Sequence, residues 1–201
     1  MSKAVLGELR RTDPKLKPVL TSADSLTGPM LVGAYRGPVG SGRVLLLAHS
    51  NLVSKPGLMR PAIDWMGIAP GTTIWSNDPR RGDRIKRFLD QRNPVRITKG
   101  RLHTQRLAPG ELLIISPFNM GKDQMVEEDV PFLIDAVKTG THVIVWCIGW
   151  VQRDVVLGHP VNTFADAFGR RFGKGALQLK SELGVFSEDG KLHSLIPIET
   201  R

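Results

Sequence analysis

The chain has 201 residues, 41% apolar and 23% charged, and its 28 Lys and Arg against 19 Asp and Glu give a net charge of +9. That length is most simply one domain with room for a sizeable core, and the composition is that of an ordinary globular protein. The single cysteine, Cys147, excludes an internal disulfide and a Cys-based zinc site within one chain.

No apolar run approaches the roughly 20 residues that cross a bilayer. The first residues lack the long apolar core of a secretory signal. The expectation is a cytoplasmic protein with no membrane partner. His49, His103, His142, His159 and His193 are scattered without metal-ligand spacing, so neither a metal nor a cofactor is expected.

Residues 1–42 read as an irregular N-terminal arm. The run Asp13-Pro14-Lys15-Leu16-Lys17-Pro18 excludes a helix interior, because each proline removes a donor and restricts the residue before it. Gly28-Pro29 and Gly37-Pro38 are further breaks. Regular structure is expected from Arg43 onward.

Val44-Leu45-Leu46-Leu47-Ala48 is continuously apolar, the pattern of a strand buried on both faces. Residues 58–66 read as a short helix with Leu58, Ala62, Ile63 and Met66 on one face. Thr72-Thr73-Ile74-Trp75 is a second strand. Residues 80–91 read as a helix with Ile85, Phe88 and Leu89 inward, and Val95-Arg96-Ile97-Thr98 as a weaker, edge-like strand. Glu111-Leu112-Leu113-Ile114-Ile115 is a strong buried strand. A helix over 126–138 stops at Gly140, and Val143–Ile148 is another buried strand.

Strands alternating with helices imply right-handed βαβ units. The predicted fold is therefore α/β: a Rossmann-like three-layer sandwich with a mostly parallel sheet of about five strands over 43–150. Residues 151–201 are expected to add a small helix and hairpin tail. There Asn162 would cap a helix, Phe164, Phe168 and Phe172 would form its stripe, and Asp189-Gly190 would turn a hairpin.

Charge is not spread evenly along this framework. Between Pro79 and Arg106 stand Arg80, Arg81, Arg84, Lys86, Arg87, Arg92, Arg96, Lys99, Arg101 and Arg106, opposed only by Asp83 and Asp90. The segment is +8, and the remaining 18 basic and 17 acidic residues nearly cancel. Arg80, Arg84 and Arg87 fall at i, i+4 and i+7, one face of a helix. Arginine outnumbers lysine eight to two here, and its planar fork suits phosphate oxygens better. Such a run is usually a solvated helix face; its density in an otherwise neutral chain favours a polyanion.

The expected partner is thus nucleic acid, DNA or RNA, or another polyanion, held by Arg80, Arg81, Arg84, Arg87, Arg96, Lys99 and Arg101. Arg10, Arg11, Lys15 and Lys17 in the arm, and Arg170, Arg171 and Lys174 in the tail, would widen the footprint if they fold onto the same face. Phosphate contacts of this kind position without specifying sequence.

A second reading is an enzyme. Open α/β sheets bind ligands outside the carboxyl ends of their strands. Those ends present His49-Ser50-Asn51, Ser76-Asn77-Asp78 and Ser116-Pro117-Phe118-Asn119. His49 would be the general acid or base and Asp78 its orienting group or a ribose ligand. Ser50, Asn51, Ser76, Asn77, Ser116 and Asn119 would line a crevice for a nucleotide or phosphorylated small molecule. The competing account is that Ser, Asn and Asp at strand ends start turns and cap helices. A third reading is a structural subunit whose basic stripe docks an acidic protein.

Gly37-Pro38-Val39-Gly40-Ser41-Gly42 precedes a strand rather than opening a helix. It reads as a turn, not as a phosphate loop. Glu127-Glu128-Asp129 lies in the first turn of a helix, where acids meet the dipole.

Overall fold

The structure, a computed structural model, describes residues 8–11, 18–22, 30–36, 42–47, 56–78, 84–89, 93–98, 100–117, 125–146, 158–168, 170–173, 182–186 and 192–197. Its centre is a run of five parallel strands: β4 (Arg43–Leu47), β5 (Ile74–Ser76), β6 (Val95–Ile97), β7 (Leu112–Ile115) and β8 (His142–Trp146). They lie side by side in the order β4-β8-β7-β5-β6. Every neighbouring pair is parallel, with Leu45 opposite Ile144 and Ile114 opposite both Ile144 and Ser76. The α/β class expected from the alternating pattern is the one observed.

Continuous apolar strands need cover on both faces, and the core divides accordingly. Leu45, Leu47, Ile74, Leu112, Ile114, Ile144 and Trp146 face α1 (Pro56–Met66), which contributes Met59, Ala62, Ile63 and Met66. The alternate residues Val44, Leu46, Leu113, Ile115, Val143 and Val145 face α2 (Asp129–Lys138) and α3 (Pro160–Asp166). From those helices come Val130, Leu133, Val137, Val161 and Phe164. Phe164 and Phe168 meet edge to face, their centroids 5.0 Å apart. Burying each such side chain contributes about 1.5–3 kcal/mol.

Helix α2 ends as its sequence demands. Gly140 has φ +111°, its N–H bonds the Val137 carbonyl, and the Thr141 N–H bonds the Ala136 carbonyl. This pair of bonds closes the C-terminus and requires a residue tolerant of positive φ.

Several expectations are corrected. The stretch 1–42 is not an irregular arm: β1 (Glu8–Arg11), β2 (Pro18–Ser22) and β3 (Met30–Arg36) lie within it. The last of these runs antiparallel to β4, with Ala34 opposite Leu45. Pro18 is tolerated because it opens its strand. The stripe of three phenylalanines does not lie on one helix. Helix α3 ends at Asp166, and Phe172 belongs to β9 (Arg170–Gly173); Gly173 is a poor residue for a helix interior. The cap of α3 is His159, whose Nδ1 accepts the Val161 N–H at 3.2 Å, while Asn162 is buried inside the helix. The helix expected over 80–91 appears within its described part, 84–89, as a single turn at 84–86.

Strands β10 (Glu182–Phe186) and β11 (Leu192–Pro197) pair antiparallel, and β10 joins β2. The sheet therefore continues past β4 as β3-β2-β10-β11.

Candidate functional site

Because the five central strands are parallel, the residues that follow them leave at one edge of the sheet. From β5 the chain passes through Ile85, which packs with α1, to reach β6. From β7 it passes through α2, on the opposite face, to reach β8. Adjacent strands whose connections depart on opposite faces define a switch point, the usual ligand crevice of such sheets. Here it lies between Ser76-Asn77-Asp78 and Ser116-Pro117.

Side chains bridge that crevice. The Asn77 Oδ1 accepts the Ser116 N–H at 2.7 Å, and its Nδ2 donates to the Ser116 carbonyl at 2.9 Å. Asn77 is 2% exposed. The Ser76 hydroxyl donates to the Asp78 carbonyl and accepts the Asp78 N–H. Thr98, beyond β6, donates its N–H and its hydroxyl to the Ser76 carbonyl. Asn77 thus supplies a backbone-like pair of bonds where the β5–β7 ladder stops. Asp78 is half-buried beside it.

His49, Ser50, Asn51 and Asn119 lie outside the described residues. The strand that precedes His49, β4, is separated from β5 by β8 and β7. Three inter-strand steps put the two strands about 14 Å apart.

Arg84, Lys86, Arg87, Arg96, Arg101 and Arg106 are all exposed. In the chain they precede, occupy and follow β6, the last of the five parallel strands. The Arg96 guanidinium sits 5.6 Å from the centroid of the Trp75 ring, whose Nε1 donates to Glu111. Arg80, Arg81, Lys99 and Lys174 lie outside the described residues.

Strands β1 and β9 pair antiparallel, with Arg10 opposite Arg171 and Arg11 opposite Arg170. Arm and tail arginines thus stand opposite each other on strands, and β1 attaches to β3, five inter-strand steps from β6 rather than beside it.

One polar pair was missed by the sequence reading. His103, in a 3-10 turn at Leu102–Thr104, meets Asp129 at the start of α2. The Asp129 Oδ1 lies 2.7 Å from the His103 Nδ1 and accepts the His103 N–H at 2.8 Å, while Oδ2 accepts the Val126 N–H at 2.9 Å. The bond to Val126 ties down the turn that leads into α2. The histidine is 26 residues away in sequence, and no local spacing announces it.

Two other histidines are structural and must be neutral to do their work. The His142 Nδ1 accepts the Arg43 N–H at 3.1 Å, and burial, with the Arg43 charge second, pushes its pKa below the usual histidine value. Burial likewise lowers the pKa of His159, the cap of α3. A base whose folded pKa is depressed is protonated first in the unfolded chain. Its stabilising effect is complete above about pH 6.5 and is lost as pH falls toward the folded value. The melting temperature is therefore expected to drop between pH 7 and pH 5. A His142→Asn, His159→Asn variant, which keeps an acceptor at both places without titrating, should flatten that slope. An equally steep slope in the variant would assign the acid sensitivity to other groups.

Among the described residues no group of three or more His, Cys, Asp or Glu is arranged to hold a metal. No helix among them is long and apolar enough to cross a membrane. Comparison with protein-family models, curated proteins and solved structures finds no match.

Proposed function

We propose that the chain binds nucleic acid through its phosphate backbone, with little sequence preference, on a Rossmann-like three-layer scaffold. The observation that carries this reading is the β1–β9 register. Two consecutive arginine pairs, Arg10–Arg171 and Arg11–Arg170, fall opposite each other there, and a local excess of cations attracts a polyanion. The exposed cations around β6 form a second group, and β6 is five inter-strand steps from β3, about 24 Å. One small anion spans no such distance, whereas a duplex, with a charge per about 1.7 Å of axis, does.

The test is a filter-binding titration with duplex DNA of mixed sequence at about 50 mM salt. Retention that varies little between sequences is expected, within the weak range of about 10⁻⁴ to 10⁻⁶ M that such contacts give at physiological salt. Absence of retention at the lower salt contradicts the reading.

The β5–β7 switch point favours a second reading, a nucleotide or phosphorylated small molecule held near Asp78. Saturation at 100 times the dissociation constant adds about 2.7 kcal/mol, so thermal-shift screening with nucleotides and sugar phosphates decides it. A hit that survives Asp78→Ala would locate the ligand elsewhere.

A further inference from the structure

His103 is the one histidine inside the basic segment, between exposed Arg101 and Arg106. Asp129 is 0% exposed, whereas 35% of the His103 side chain is exposed. An ionised carboxylate only accepts, so its bond to Nδ1 fixes the ring's rotation and places the proton there. In that tautomer of the neutral ring the lone pair is on Nε2, which is what a general base requires.

The backbone that carries the ring is held as well. Leu102 is in the core, and the Thr104 hydroxyl and Gln105 amide both donate to the Arg101 carbonyl.

We propose that His103 is the general base of a phosphodiester transesterification on bound RNA, with Asp129 as its positioning residue. This rests on the nucleic-acid reading above. A lone fixed base suits a reaction whose nucleophile arrives with the substrate, and RNA carries one beside each phosphate. His103 Nε2 takes the proton of a ribose 2′-hydroxyl. The 2′ oxygen bonds to the adjacent phosphorus, and the bond from phosphorus to the 5′ oxygen breaks. The departing 5′ oxygen takes a proton from water, and the imidazolium returns its own to the hydroxide left behind. The products are a 2′,3′-cyclic phosphate and a 5′-hydroxyl. Arg101 and Arg106 supply positive charge for the crowded phosphorus intermediate. DNA, which lacks the 2′-hydroxyl, is held and not cut.

The experiment incubates the full chain with a 5′-labelled single-stranded RNA and with the DNA of the same sequence. Fragments ending in cyclic phosphate are expected from the RNA alone. A single 2′-deoxy substitution should block cleavage at its own position. His103→Asn keeps an N–H toward Asp129 but has no Nε2. It should bind RNA as the parent does and cleave at least about 100-fold more slowly. RNA that is bound and left intact overturns the proposal, as does equal cleavage by His103→Asn protein prepared identically. Failure to retain either nucleic acid would instead overturn the binding reading and this inference with it.

Discussion

Replacing Asp129 by alanine is expected to destabilise the fold by about 3 kcal/mol, because three partly buried donors lose a common acceptor. Three donors converge on this carboxylate: the Val126 N–H, the His103 N–H and the His103 ring. With the carboxylate gone, each donor loses its partner, at about 1 kcal/mol apiece, the low end of the range, because water reaches the partly exposed His103. The bonds also tie α2 to the 3-10 turn, so the loss is not confined to one helix end. His103→Asn, which preserves the donors, should cost about 0.5 kcal/mol, the range of an exposed substitution. Urea unfolding of the two variants separates the cases. Equal, small losses would show that the carboxylate is not a structural junction.

Gly42→Ala is expected to be nearly as damaging, for a steric reason. A Cβ at this position would overlap the Thr141 carbonyl oxygen and carbon, and both are backbone atoms that no rotamer change can move. The Gly42 N–H also bonds the Val137 carbonyl at 2.6 Å. The start of β4 therefore lies flush against the turn that links α2 to β8. Relieving the overlap must move that turn or break the bond. Overpacking of this kind costs about 3 kcal/mol, a drop of roughly 6–12 °C in melting temperature for a domain of this size. A shift under about 2 °C, or about 0.5 kcal/mol, would mean that the two segments part easily.

The parallel strands were legible because burial on both faces leaves a simple trace. Val44–Leu47, Leu112–Ile115 and Val143–Trp146 are unbroken apolar runs, and each is a strand here. The strands of the first 42 residues were not legible. Prolines and glycines interrupt them, and β3 earns its place by pairing with β4, a non-local fact. Residues 170–173 illustrate the same limit: phenylalanines four apart matched a helix until pairing with β1 imposed an extended backbone.

The strand-end residues were identified by position, and Ser76, Asn77 and Ser116 do meet at the β5–β7 edge. Their spacing could not reveal that Asn77 bridges the gap, nor that β8 and β7 lie between β4 and β5. The His103–Asp129 pair was invisible for a related reason. Its partners are joined by the crossing of β6 to β7 and by the start of α2, which only the folded topology brings together.

The most direct measurement is the salt dependence of binding to duplex DNA, a ligand the proposed cleavage leaves intact. Contact with about five phosphates predicts a slope of about −4.5 for log affinity against log salt. Lys86→Gln, Arg87→Gln and Arg106→Gln, introduced together, should make that slope shallower by about 2.7 if each side chain neutralises one phosphate. Their melting temperature should stay that of the parent, because all three are exposed. A slope unchanged by the triple substitution, or a parent protein that does not bind at about 50 mM salt, would contradict the account.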